Sequence, residues 1–150
     1  MSTDSSPPSL IDRILREHGE MVRYIHELEV WLDVDPSDLD TWASTLHERM
    51  DKVTTRLRSH FTREENGALH QEIPATMPRF AETLTRLLDE HRILDEDMAY
   101  ILEAAAGGMD RDKAYKLARR ARLFIARLRR HESEENEILQ YALYGDDDDA

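Results

Sequence analysis

The chain has 150 residues, with 32 acidic against 20 basic side chains and a formal charge of −12. That length suits one domain with one full-sized core, and so acidic a surface repels nucleic acid and anionic lipid rather than gathering them. The absence of cysteine excludes a disulfide framework, a thiolate zinc site and a catalytic thiol.

Residues 1–9 read as a disordered N-terminal segment, without the basic start and apolar core of a secretory signal. Pro7 and Pro8 precede Ser9, Leu10, Ile11 and Asp12, a capping box that opens helix 1. Helix 1 runs to about Leu32 and places Ile11 or Ile14, then His18, Met21, Ile25, Leu28 and Leu32 at alternating steps of three and four. Residues 33–38 form a turn, with Ser37 or Asp38 as the next cap. Helix 2 carries Trp42, Leu46, Met50, Val53, Leu57, His60 and Glu64, and stops at Asn66 and Gly67. Residues 68–76 read as a loop containing Pro74, and Pro78 suits the first turn of helix 3.

Helix 3 gives Phe80, Leu84, Leu87, His91, Leu94 or Asp95, Met98 and Leu102, and ends at Gly107 and Gly108. Asp110 caps helix 4, whose stripe is Leu117, Ala121, Phe124, Leu128, His131, Glu135, Ile138 and Ala142, ending near Tyr144 and Gly145. Residues 146–150 form an acidic disordered tail, a poor cation cage because its adjacent aspartates lack turn residues. One apolar stripe per helix and no strand pattern predict an all-α, up-down-up-down four-helix bundle over residues 10–145. No apolar run approaches the ~18 residues of a membrane span, so a soluble cytoplasmic protein without a membrane or nucleic-acid partner is expected, as a monomer or weak oligomer.

His18, His60, Glu64, His91, His131 and Glu135 all fall on stripes that should be buried. Burying unpaired charge costs several kcal/mol, and a shared metal pair is the simplest common partner. His60/Glu64 and His131/Glu135 are four apart, so each pair points from one helix face toward one centre. Imidazole suits iron and carboxylate can bridge two cations, and bundle cores hold such sites. The two His-x-x-x-Glu pairs, each preceded by a helix with one stripe histidine, therefore read as a carboxylate-bridged site for two iron ions. Manganese and zinc also suit the donor set. The competing reading is a metal-free bundle with a polar core layer.

Helix-length counting leaves roughly 9 Å of mismatch between the histidine levels, for the connectors to absorb, and sets the layer toward the end of the bundle that holds the termini. The Trp42 end should be ordinary apolar core. Glu65 and Glu134 rotate away from the stripes by roughly 100°. Asp95 has three readings: a seventh ligand, a hydrogen-bond acceptor for a ligand imidazole, or a flank residue beside Leu94. His26 and His47 follow stripe residues and should be solvated or half-exposed, and His70 lies in the loop. Arg119, Arg120, Arg122, Arg127, Arg129 and Arg130 read as a solvated, ion-paired face.

The ordered set His18, then His60-Phe-Thr-Arg-Glu64, then Glu90-His91, then His131-Glu-Ser-Glu-Glu135 resembles the hemerythrin-like, or HHE cation-binding, domain from Leu10 to Tyr144. The resemblance implies a non-heme di-iron centre in a four-helix bundle, with the four histidines as terminal ligands and Glu64 and Glu135 as bridges. Oxygen-carrying hemerythrins have a second histidine four residues on in the third helix, where this chain has Asp95. That departure implies an additional open position or a harder oxygen ligand, favouring small-ligand chemistry over reversible oxygen carriage. The four-His, two-Glu set is also similar to that of iron–sulfur-repair di-iron proteins and iron-sensing hemerythrin-like domains.

Three functions follow. The first is a di-iron protein that binds O2, NO or peroxide for sensing, storage or detoxification. The second is an enzyme that consumes peroxide or NO, with Tyr24, Tyr100, Tyr141 or Asp95 as proton donor; the sequence leaves enzyme status open. The third is an iron-responsive or repair-related module that metal binding orders.

Overall fold

The computed structural model describes residues 7–145, with side chains from residue 10 onward. The N-terminal segment before Pro7 and the acidic tail lie outside the described residues. Four long helices carry the architecture: α1 (Pro7–Leu32), α2 (Leu39–Asn66), α4 (Ala81–Ala106) and α5 (Arg111–Tyr144), with a one-turn α3 (Ile73–Thr76) between the middle two. They pack in a closed circuit, α1 on α2, α2 on α4, α4 on α5 and α5 on α1, an all-α bundle without strands among the described residues. No helix among them is long and apolar enough to cross a membrane.

The helix starts follow from local chemistry. Asp38 caps α2, accepting from the backbone N–H groups of Asp40 and Thr41, and Asp110 caps α5, accepting from Lys113; each satisfies donors that a first turn leaves free. Helix α1 begins at Pro7 rather than after Ser9, which fits proline's tolerance of the first turn. At the end of α2, a Cβ on Gly67 would meet the Arg63 carbonyl oxygen at 2.7 Å, so a side chain there would force the turn to move.

The segment read as a loop is ordered helical chain. Residues Ala68–Glu72 make a wide π-type turn, Ile73–Thr76 a helical turn, and Pro78–Phe80 a tight turn that leads into α4. The reason is burial: Ala68 and Leu69 are fully enclosed and Ile73 almost so, and backbone carried inside must satisfy its own polar groups. It does so through Gln71 N–H to Gly67 O (3.1 Å) and Met77 N–H to Ile73 O (2.7 Å).

Two apolar clusters stack along the bundle. The larger runs from Trp42 and Leu32 through Met50, Phe124 and Ile25 to Leu57, Leu94, Leu128 and Met21. The smaller closes the other end with Ile11, Ile14, Leu84, Leu87, Ile138 and Leu139, completed by Ala68, Leu69 and Ile73 of the connector. Between Ile14 and Met21 on α1 lies His18, between Leu57 of α2 and Ala68 just beyond it lie His60 and Glu64, between Leu87 and Leu94 on α4 lies His91, and between Leu128 and Ile138 on α5 lie His131 and Glu135. The polar layer is thus a slab with apolar packing on both sides.

Candidate metal centre

All six stripe residues are buried, none more than 5% exposed, with Glu64 and Glu135 at 0%. They share one level because the connectors absorb the difference in helix length. Roughly 21 residues separate the start of α2 from His60 against roughly 14 from His18 to the end of α1, so α2 starts about 10 Å further from the layer. Residues 33–38, between α1 and α2, easily span that distance.

The two carboxylates sit at the middle. His18 Nε2 lies 3.1 Å from Glu64 Oε2 and 3.3 Å from Glu135 Oε1. His60 Nε2 is 3.2 Å from Glu64 Oε2, and His131 Nε2 is 3.0 Å from Glu135 Oε2. His91 Nε2 is 3.4 Å from Glu64 Oε1 and 3.6 Å from Glu135 Oε2. The donor atoms form two groups, each confined within 4.8 Å: His18, His60, Glu64 and Glu135, and His91, His131, Glu64 and Glu135. Both groups contain both carboxylates, so each could hold a metal ion with the two acids in common.

The outward nitrogens explain why the inward ones converge. His18 Nδ1 donates to Asn136 Oδ1 (2.6 Å), His60 Nδ1 to Glu17 (2.9 Å), His91 Nδ1 to Glu65 (2.8 Å) and His131 Nδ1 to Glu90 (2.8 Å). An acceptor opposite Nδ1 fixes the proton there, leaving the Nε2 lone pair of the neutral ring to face the centre. Glu17 is held in turn by Arg63 and Glu90 by Arg86, each at 2.8 Å. Phe61 stacks on His91 with ring centroids 3.9 Å apart and an 11° interplanar angle, which fixes that ring's tilt.

The electrostatics fit positive charge at the centre. Burial opposes ionisation of Glu64, but His18, His60 and His91 hold it well below the usual carboxylate range. Burial and the neighbouring Glu64 work against Glu135, yet His131, His18 and His91 keep it low as well. Burial also disfavours charge on the imidazoles, but Glu135 and Glu64 carry His18 up to about 11 and, with Glu65, His91 up to about 10. Without a metal, protons on the rings supply the charge that balances the two acids.

Buried polar atoms test whether a metal fits. His60 Nε2, His91 Nε2, His131 Nε2, Glu64 Oε1 and both Glu135 oxygens have no hydrogen-bond partner, although each lies close to an opposite group. Their short separations lack hydrogen-bonding geometry; apart from the bond between His18 Nε2 and Glu64 Oε2 at 3.1 Å, the inward atoms do not form the self-satisfied polar network that buried groups normally require. Nitrogen and carboxylate oxygen donors aimed at a common space suit divalent transition metals. The residues present fit a metal pair.

Other sequence-singled residues lie outside the two donor groups. Asp95 is on the flank, accepting from Arg58 Nε at 2.6 Å, away from both donor groups. Glu134 pairs with Arg86. Glu65, which the stripe turns off the centre, holds the His91 ring. His26 is exposed and His47 half-buried. Arg120 and Arg127 pair with Asp97, Arg122 with Asp33 and Arg129 with Glu29. Tyr24 lies under Arg56, Tyr100 under Arg120 and Tyr141 against Phe80.

The sequence reading did not single out Glu17, Glu90 or Asn136 as the outer clamps. The available signal was position: Glu17 and Glu90 directly precede the stripe histidines His18 and His91. It also missed Glu132, 6% exposed with Oε2 unpartnered, whose carboxyl burial pushes up to about 7.

The chain matches the family model of the hemerythrin HHE cation-binding domain over residues 9–143. It belongs to that family. Comparison with curated proteins and with solved structures gave no match.

Proposed function

We propose that this chain is a non-heme di-iron protein that binds a small ligand, O2, NO or peroxide, for sensing, storage or detoxification. The observation that carries the reading is the pair of four-residue donor groups sharing Glu64 and Glu135, with all four imidazoles turned inward by acceptors on their outer nitrogens. In this reading His18 and His60 would hold one ion and His91 and His131 the other, with Glu64 and Glu135 available to both. A bound iron pair would supply Lewis acidity and redox capacity to a small ligand. The protein's part is to orient six donors, neutralise the cations with two buried carboxylates and keep bulk water out between two apolar clusters. Manganese or zinc would use the same donors.

Metal analysis of protein produced with iron, with optical spectra before and after azide or peroxide, tests the reading. About two irons per chain and an absorption band that shifts on addition are expected, with iron content falling well below wild type in His60→Ala and Glu135→Ala. Peroxide consumption by the same sample would assign turnover. A chain without stoichiometric metal, melting identically with and without iron, would sink the proposal; full iron content in both variants would overturn the ligand assignment.

A further inference from the structure

The centre is nearly symmetric in its donors and asymmetric in its surroundings. Each half presents two imidazoles and the shared carboxylates, but among the described residues a fifth imidazole packs on the His91/His131 half. The His70 ring lies perpendicular to that of His91, at 88°, with centroids 5.5 Å apart. His70 Nε2 is buried and has no hydrogen-bond partner. His70 belongs to neither four-residue donor group. It therefore borders the centre without joining it.

The turn that carries His70 is not a free loop. Ala68 and Leu69 are fully buried, Ile73 is 3% exposed, and the close approach at Gly67 fixes how the chain leaves α2. A short π-type turn anchored on both sides holds one imidazole at the edge of the layer, with little ordering cost left when a ligand arrives. Leaving a buried ring nitrogen without a partner is unfavourable, so the group is set for a partner that the protein itself does not provide.

We propose that His70 contacts the small ligand taken up at the His91/His131 half, donating a hydrogen bond from Nε2 and making that half the binding side. The proposal rests on the metal-pair reading above. It assigns the ligand class as a small species with a hydrogen-bond acceptor, anionic or polarised toward anion, which a neutral apolar gas pocket would not select.

Azide is the probe, titrated optically into the iron-loaded full chain, with iron per chain measured on every sample. His70→Ala should keep wild-type iron and bind azide about 10- to 100-fold more weakly, the loss expected for one hydrogen bond to a charged acceptor. His70→Gln, whose amide can donate, should recover most of the affinity. His70→Phe keeps a ring against His91 without a donor and should behave like the alanine variant. Azide affinity equal to wild type in His70→Ala or His70→Phe would overturn the proposal, and so would loss of iron in both, which would make His70 a metal ligand. A wild-type chain that holds no iron would instead fail the underlying reading, and does so before any His70 variant is measured.

Discussion

The stretch of bundle from Trp42 to Leu57 and the layer one turn beyond it are built on the same helical periodicity and do opposite things to stability. In the first, Leu46, Met50, Leu57 and Met98 are fully enclosed among other apolar side chains, each removing from water a surface worth roughly 1.5–3 kcal/mol. In the second, the same inward positions hold four imidazoles and two acids, whose desolvation offsets most of what their mutual attraction returns. The layer is therefore held by the apolar clusters on either side of it. That contrast is a physical reason to read it as a functional site rather than as core packing.

The sharpest break of the comparison pairs Leu46→Ala with Glu135→Ala. Leu46→Ala should cost about 2–5 kcal/mol in urea unfolding while iron per folded chain stays at the wild-type value. Glu135→Ala should cost the metal-free chain about 3–5 kcal/mol, because it strands buried imidazoles that Glu135 had balanced, and should also abolish full iron loading. Iron loss in Leu46→Ala matching that in Glu135→Ala would show that the two regions are not separable.

Next in size is the effect of metal itself. Iron at a hundred times its dissociation constant should stabilise the chain by about 2.7 kcal/mol for each independent site, read as a rise in melting temperature that His131→Ala largely removes. An unchanged melting temperature in the wild type would count against a metal-holding layer. Glu90→Gln comes third: its outer contact to His131 weakens, and metal affinity should fall about 10–100-fold with little change in metal-free stability. Competition with a chelator measures it. The smallest effect belongs to Asp95→Asn, which removes a half-exposed pair with Arg58 worth about 0–1 kcal/mol and should leave iron content untouched. A drop in iron there would bring Asp95 back toward the centre.

The stripes, the bundle and the buried position of the six central residues were readable because helical spacing determines which side chains face inward. The outer clamps were not, because they act between helices. Glu17 sits next to His18 in sequence but holds His60 of α2; Glu90 sits next to His91 but holds His131 of α5. One residue's rotation of roughly 100° carries each toward the neighbouring helix, and only the packing order says which neighbour that is. Asp95 failed to separate from Leu94 for the same reason, since a residue at the edge of a stripe is assigned by what lies opposite, here Arg58. The connector was misread because its apolar residues are too few for a periodic signal, though Leu69 and Ile73, four apart beside a proline, carried a faint one.

The outer clamps have a consequence for assembly. Taken in order, α1 restrains an imidazole of α2 through Glu17, α2 one of α4 through Glu65, α4 one of α5 through Glu90, and α5 one of α1 through Asn136. The contacts form a loop in which every helix is both holder and held, so no hairpin of two helices contains more than part of it. A chain with its last helix undocked would present His18 and His131 unaimed and could grip a cation only loosely. On the proposed metal-pair reading, tight metal capture would be open only to molecules whose four helices have all docked.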